Sequence, residues 1–398
     1  MSADPELTTT RSIASGRGVG NLLALALLVV SPLAVSSKPG LAQASSQSEG
    51  AIVAVRPPTG PFATTETATW RGAPRASGRI SNRELGVVIN TADPYSVDVG
   101  EFYVKARKIP PDQVLRLALP TRLTLTADEF KAFDSRVRKF FKPSVQALAL
   151  AWSMPFAVGC NSITAALTLG YDEALCAQTC GPSKPSPYFN AATSRPFSDL
   201  KLRPSMLLAA PDAAAARRLV ERGIASDHSL GPSNAPPVNV FFVETADTAR
   251  NVRARLFPPP GPLPGAGVNV HVESAGAAWR ADRVLIYETG LVRVDRLDDI
   301  HWVPGALADH LTSDGGQLQN FGGGQMSATE WIGSGATASY GTVSEPCNHV
   351  QKFPHPQVLL LHYLQGSTAL EAYWKSVAWP QQGVFIGEPL ASPFAPRR

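Results

Sequence analysis

The sequence has little charge, and its basic residues form no run. Of the 398 residues, 17% are charged, and the formal net charge is +4. The nearest approach to a basic cluster lies on one predicted amphipathic helix and comprises Arg136, Arg138, Lys139 and Lys142. A solvated helix face explains this group better than a nucleic-acid patch does. We therefore expect no nucleic acid among the partners, which the sequence otherwise leaves unknown.

The sequence also lacks an apolar run that could cross a membrane. The run at residues 22–30 has nine residues, whereas a membrane helix needs about 20. Arg11 and Arg17 precede this run, and the triplet Ala-Gln-Ala at 42–44 follows it as a small-residue cleavage pattern. These features predict a signal peptide over residues 1–44. We expect an exported chain, periplasmic or extracellular, with no membrane span after cleavage.

Cysteine is scarce, and its number is even. The four cysteines are Cys160, Cys176, Cys180 and Cys347. In an exported chain an even count favours two disulfides, with three possible pairings. The pair Cys176 and Cys180 lacks the matching second pair that a zinc site needs. We predict two disulfides of open pairing, no metal and no cofactor.

Composition divides the chain into segments. Residues 45–80 are rich in Ser, Thr, Ala, Gly and Pro without any period, which predicts a linker or a loosely docked arm. The Gly- and Pro-rich stretch 231–237 marks a second boundary. We therefore predict an N-terminal subdomain over residues 81–232 and a C-terminal subdomain over residues 233–398.

Both subdomains alternate short apolar runs with helical patterns. Strands are predicted at 85–90, 114–120, 145–152, 204–210, 238–244, 268–274, 283–290, 336–343 and 383–390. Helices are predicted after Asp93-Pro94, over 246–256, and at capping boxes that begin at Thr126, Ser327 and Thr368. This alternation predicts an α/β fold with doubly wound, mostly parallel sheets in a three-layer αβα arrangement. We expect two such sheets, packed together.

One segment, GALADHLTSDGG at residues 305–316, holds an acid, an imidazole and a hydroxyl close together. They belong to Asp309, His310 and Ser313. Along a strand Asp309 and Ser313 share a face and His310 points to the other, and on a helix His310 lies about 100° from Asp309. A triad needs its base between the other two groups, so we expect no local triad. Each residue stays a catalytic candidate with partners from elsewhere.

Open doubly wound sheets bind ligands at the carboxyl ends of their strands. That rule predicts ligand-binding roles for Asn90, Asp93, Ser96, Tyr287, Thr289 and Glu345. For Asp93, helix capping is the competing explanation. Glu345, Cys347 and His349 carry side chains that ligate zinc, but an oxidised Cys347 favours a structural loop.

Several phrases carry a resemblance over about residues 84 to 394. ELGVVINTADPYSVDVGEFYVKARKIP, RPSMLLAA and SATEWIGSGATASYGTVSEPCNHVQKFPHP resemble an uncharacterised family of exported bacterial proteins. The resemblance implies export and carries no assigned activity.

The last third also resembles caspase-like folds, in particular the gingipain-type cysteine peptidases. The shared features are a Gly-Ala strand, a helix start of the Gly-x-Thr/Ser-x-x-Glu-Ala type and a terminal Gly-Glu-Pro-Leu. In that fold a His-Gly follows one strand and a Cys follows the next. The corresponding places here hold Glu288-Thr289-Gly290 and Thr312-Ser313. The resemblance therefore implies a peptidase frame without its Cys-His dyad.

Two functions follow as expectations. The first is a binding or scaffold role in the cell envelope. The alternative is a hydrolase of peptidase or esterase type, with Ser313 as nucleophile or with Asp309, His310 and Glu345 as acid, base or ligands.

Overall fold

The computed structural model describes residues 69–231, 236–263, 265–276, 281–319 and 324–396. The predicted signal peptide, residues 1–44, and the first part of the predicted linker, residues 45–68, lie outside the described residues.

Fourteen strands lie in the described part of the chain. They are β1 Leu85–Asn90, β2 Val114–Leu117, β3 Thr124–Leu125, β4 Ala147–Leu150, β5 Ala157–Val158, β6 Asn161–Ser162, β7 Ser205–Leu207, β8 Val238–Glu244, β9 Gly261–Leu263, β10 Val268–Ser274, β11 Ala281–Thr289, β12 Ile300–His310, β13 Ala338–Thr342 and β14 Gly383–Gly387.

Nine α-helices accompany these strands within the same residues. They are α1 Pro94–Arg107, α2 Ala127–Phe140, α3 Ile163–Leu169, α4 Ala174–Ala177, α5 Pro196–Leu200, α6 Ala213–Ser226, α7 Ala328–Ser334, α8 Pro356–Leu364 and α9 Ala369–Ser376. Short 3-10 helices occupy Pro111–Gln113, Asn251–Leu256, Leu297–Asp299, Val350–Lys352 and Pro380–Gln382.

Eleven strands form one sheet in the order β2-β1-β4-β7-β14-β13-β12-β11-β8-β10-β9, and β3, β5 and β6 form a small second sheet. In the large sheet only the pairs β13–β14 and β9–β10 are antiparallel. The predicted α/β class and the mostly parallel, three-layer arrangement are confirmed. The expected pair of packed sheets is instead one continuous sheet, because β14 bonds to β7 on one side and to β13 on the other.

The direction of β14 has a consequence for the strand ends. It runs parallel to β7 and antiparallel to β13. Along the strand direction, the carboxyl ends of β1, β4 and β7 therefore lie at one end of the sheet. Those of β8, β11, β12 and β13 lie at the opposite end.

The helix starts follow the capping signals in the sequence. Asp93 caps α1 by accepting from the Tyr95 N–H at 3.0 Å, with Pro94 in the first turn. All three predicted capping boxes form, at the starts of α2, α7 and α9. The predicted α-helix over 246–256 is wrong, because Asp247 closes a turn with the Ala249 and Arg250 N–H groups and a 3-10 helix follows.

The core lies on both faces of the large sheet. Every residue of β1, β4, β7, β13 and β14 is buried, as expected for strands covered by helices on both sides. A smaller apolar cluster packs beneath α7 around Tyr287 and Trp331, whose ring centroids are 5.4 Å apart.

Candidate functional site

A pocket of about 310 Å³ opens at the carboxyl end of β12. Its polar lining comes from Arg250, Thr312, Ser313, Glu345 and Asn348, and Leu311 and Phe353 contribute apolar surface. The pocket lies beside the place where the strand order reverses. The chain leaves β8 for β9 and β10 on one side, then crosses β8 to β11 on the other. Crevices of this kind bind ligands in open α/β sheets.

The two places that the caspase-like resemblance singled out are adjacent in the fold. Thr289 ends β11 and pairs in register with His310 of β12, and the Leu311 N–H donates to the Thr289 carbonyl at 2.9 Å. Position 290 requires a glycine, because a Cβ there would lie 2.4 Å from the Arg250 carbonyl oxygen. The turn before the Asn251–Leu256 helix therefore packs directly against Gly290.

A buried ionic cluster lies next to the carboxyl ends of β11 and β12. Arg253 Nη1 donates to Asp309 Oδ1 at 2.5 Å and lies 3.5 Å from Glu288 Oε2. Arg253 Nη2 also donates to the Thr289 carbonyl at 3.2 Å. The side chains of Arg253, Asp309 and Glu288 are at most 2% exposed. One guanidinium thus serves two carboxyl groups that sit side by side in the β11–β12 register.

Burial decides the protonation of the two carboxyl groups. It raises the pKa of Glu288 well above the ordinary value, and Asp309 raises it further while Arg253 opposes both effects. Burial also raises the pKa of Asp309, against the charge and the hydrogen bond of Arg253. Because Arg253 bonds directly to Asp309 and not to Glu288, we assign the neutral, protonated form to Glu288.

His310 faces the other side of the sheet from Asp309. Its Nε2 lies 2.9 Å from the Met326 carbonyl oxygen, and its Nδ1 accepts from the Trp331 indole at 2.9 Å. Burial lowers the pKa of His310 to about 3. Both ring nitrogens are therefore engaged, and the ring is neutral at pH 7.

Ser313 has a different environment from its neighbours. Its side chain is half-buried and lines the pocket, and no hydrogen bond joins its hydroxyl to another described residue. The Thr312 hydroxyl donates to the Gln325 amide oxygen, and Arg250 Nε lies 3.5 Å from that hydroxyl. Thr342 Oγ1 donates to the Ser313 carbonyl oxygen at 2.8 Å and lies 3.1 Å from the Thr312 carbonyl oxygen, which fixes the backbone here.

The structure separates the other candidates. Asn90 and Ser96 lie at the carboxyl end of β1, at the opposite end of the sheet from Ser313. The Asn90 amide exchanges hydrogen bonds with the Leu119 backbone at 2.8 and 3.2 Å, and Ser96 Oγ accepts from the Asn90 N–H at 2.8 Å. Asp93 belongs to the same end, as the cap of α1.

Two candidates on β11 also point away from the pocket. Tyr287 is buried and borders a second cavity of about 360 Å³, which Leu291, Val294 and Ile300 also line. The Thr289 hydroxyl donates to the Val243 carbonyl at 3.1 Å. Of the residues predicted as catalytic or ligand-binding, only Ser313 and Glu345 line this pocket.

The cysteines form two disulfides, Cys160–Cys176 and Cys180–Cys347, as the even count predicted. Their presence indicates a non-reducing environment. Cys180, Cys347 and Glu345 offer donor atoms within 4.8 Å of one another. Because both sulfurs are bonded to each other, neither can be a thiolate ligand in this state. In the described residues, no helix combines the length and the hydropathy of a membrane span.

Sequence reasoning missed the two arginines of this region. Arg250 and Arg253 belong to the segment 246–256, where a helical pattern gave no sign that one arginine would be fully buried. Arg250 forms an ion pair with Asp247 at 2.5 Å and keeps part of its side chain exposed. A single buried arginine among exposed ones leaves no periodic signal.

Comparison with known proteins adds structural similarities. No protein-family model matches the chain, and no curated protein matches its sequence. The crystal structure of the Arg-specific cysteine proteinase gingipain R aligns over 80% of this chain and 79% of its own, with a TM-score of 0.41 and 8% identity. A structure described as a protease aligns over 79% of each chain, with a TM-score of 0.38 and 10% identity.

Proposed function

We propose that this chain is an exported binding protein of the cell envelope. In this proposal residues 233–398 keep a caspase-like frame, and the pocket beside Ser313 holds a ligand without turning it over. The observation that carries the proposal is the state of His310. It is the imidazole nearest in sequence to Ser313, and both of its nitrogens are engaged on the far side of β12.

The position that the caspase-like resemblance assigns to a histidine supports the same proposal. In that assignment the position is Thr289, whose hydroxyl already donates to the Val243 carbonyl. A serine hydroxyl becomes a nucleophile only beside a group that takes its proton. Among the described residues that line the pocket, Glu345 is the sole carboxylate and none is a histidine.

The pocket has the side chains to bind a carboxylate. Arg250 lines the pocket and its side chain is 27% exposed, and a guanidinium matches a carboxylate in shape and charge. The Ser313 hydroxyl and the Asn348 amide can donate further hydrogen bonds, while Leu311 and Phe353 accept apolar groups. We infer a small ligand that carries a carboxylate beside an apolar part.

Thermal unfolding with a panel of N-acetyl amino acids tests this proposal, because a ligand that binds the folded chain raises Tm. The expected result is a rise in Tm with one or more of these carboxylates, none with the matching amides, and loss of the rise in Arg250→Gln. Arg255→Gln is the matched control, since Arg255 is exposed on the 3-10 helix that follows Arg250 and does not line the pocket.

The alternative is a hydrolase, favoured by the hydroxyl of Ser313, which lines the pocket together with Glu345. Turnover of p-nitrophenyl esters or fluorogenic peptides separates the two functions. Wild-type turnover that disappears in Ser313→Ala and in Glu345→Gln, with folding intact, would establish the hydrolase and end the binding proposal. Absence of both turnover and any Tm rise would end both.

A further inference from the structure

Residues 69–80, here called the arm, lie against the folded chain without any helix or strand of their own. Most of the arm is exposed, and only its last residue, Ile80, is buried. The surface that receives it, here called the groove, is formed by Asn190, Ala192, Gln357, Gln365 and Glu371. This feature plays no part in the pocket beside Ser313.

The groove holds the main chain of the arm through side-chain amides. Gln357 accepts from the Arg71 N–H at 2.5 Å and donates to the Thr69 carbonyl at 3.1 Å. Gln365 accepts from the Ala76 N–H at 2.7 Å, and Asn190 donates to the Gly72 carbonyl at 3.4 Å. A glutamine amide can accept from one backbone N–H and donate to a nearby backbone carbonyl. It therefore pairs with an extended backbone in the way that a neighbouring strand does.

The far end of the arm is held by main-chain contacts as well. The Ser77 N–H donates to the Ala192 carbonyl at 3.3 Å. The Ile80 N–H donates to Glu371 at 3.1 Å, and Glu371 at the same time closes the capping box of α9. All these bonds use backbone atoms of the arm, so they do not depend on which copy of the chain supplies it.

The arm fits its groove loosely. A cavity of about 370 Å³ lies between Arg75, Ala76 and Gly78 on the arm and Gln365, Gly366 and Pro396 beneath it. A segment with few buried apolar contacts and much exposed backbone opens at a low free energy. The arm is therefore a part of the fold that can leave without unfolding the sheet.

The connection to the sheet stays intact when the arm leaves. Residues 81–84 form a turn in which the Glu84 N–H donates to the Ser81 carbonyl at 2.9 Å, and Ser81 Oγ donates to Glu84 Oε2 at 2.8 Å. These bonds are local, and β1 begins directly after them. The turn therefore stays with the sheet, and an exchange between copies moves only residues 69–80.

We propose that the groove is a binding site for an extended main chain, and that the arm of a second copy can replace the copy's own arm in it. The partner is this chain itself, because the arm of this chain already occupies the groove and makes these backbone hydrogen bonds there. The tethered arm competes at the high effective concentration that a short connection gives, so exchange grows with protein concentration.

Two variants that each add one cysteine test the exchange. Ala76→Cys places a thiol on the arm, and Gln365→Cys places one in the groove at a position that contacts Ala76. The four native cysteines are paired in disulfides, so no other thiol competes. When equal amounts of the two variants are mixed at high concentration and mildly oxidised, we expect a disulfide-linked heterodimer, at several times the yield of the control pair.

The control pair is Ala76→Cys mixed with Lys131→Cys, an exposed position on α2. A further variant adds Gln357→Ala to the Gln365→Cys chain, which removes two bonds to the arm and should lower the heterodimer yield. The double variant Ala76→Cys/Gln365→Cys should close an internal disulfide. If it does and the mixture gives no more heterodimer than the control pair, the exchange is refuted. If the double variant stays open, the groove itself is refuted.

Discussion

The indole Nε1 of Trp331 donates a hydrogen bond to Nδ1 of His310 over 2.9 Å, in the interior beneath α7. An indole can only donate, so Nδ1 carries no proton and Nε2–H donates to the Met326 carbonyl. The ring is thereby fixed as one neutral tautomer. A histidine next to a candidate nucleophile in the sequence thus becomes part of the core.

The first prediction concerns this histidine and pH. The pKa of His310 is about 3 in the folded chain and 6.5 for the ordinary side chain, because burial disfavours the charged ring. Between these values the unfolded chain binds a proton that the folded chain does not, so stability falls as pH falls from about 6.5 towards 3. Urea unfolding across this range should show a smaller pH dependence in His310→Gln than in the wild type.

The same experiment has an internal control. His355 and His362 are also buried with pKa values lowered to about 4, and they remain in both proteins. Their contribution cancels in the difference between the variant and the wild type. An unchanged pH dependence in His310→Gln would contradict the neutral, buried state of the ring.

The second prediction concerns the buried ionic cluster. Arg253→Met removes the cation that contacts Asp309 and Glu288 and leaves two carboxyl groups buried without it. Breaking a buried ion pair in this way costs about 3 to 5 kcal/mol of unfolding free energy. Arg250→Met, on a partly exposed ion pair, should cost less than about 1 kcal/mol. Equal urea midpoints for the two variants would contradict the cluster.

The third prediction ranks the two disulfides. Cys180–Cys347 closes a separation of 167 residues, and Cys160–Cys176 closes one of 16. If loop entropy dominates, removal costs about 3 kcal/mol for a 15-residue loop and more for a longer one. The double serine variant of Cys180 and Cys347 should therefore unfold at the lower urea concentration. The reverse order would show that local contacts outweigh chain entropy here.

The fourth prediction compares two helix caps with the same sequence signal. Thr368 caps α9 in the interior, whereas Thr126 caps α2 at the surface. Replacing a capping threonine by alanine costs about 1 kcal/mol. In Thr368→Ala the effect should be larger than in Thr126→Ala, because a buried Glu371 loses a donor that water cannot replace. Thermal unfolding of both variants measures the difference.

Local signals in the sequence predicted much of the fold. The strands 85–90, 238–244 and 268–274 and the three capping boxes lie where the apolar runs and the capping residues placed them. These features depend on neighbours in the chain, so the sequence displays them directly.

The candidate site was less predictable, because it depends on distant contacts. Nothing near Arg253 indicates that it will meet Asp309, 56 residues away, in the interior. Nor does any local pattern show that the strand direction reverses between β14 and β13. Because of this reversal, Asn90 and Ser313 lie at opposite ends of the sheet. The sequence identifies residues at strand ends, but the whole topology decides at which end of the sheet each of them lies.

The position of β14 also bears on how the chain is made. This strand comes last of the fourteen, yet it occupies the middle of the eleven-stranded sheet, between β7 and β13. Until it is synthesised, β7 and β13 each keep an unpaired backbone edge, which is the kind of surface that associates wrongly. The two parts of the large sheet on either side of β14 can therefore join into one sheet only when residues 383–387 are in place.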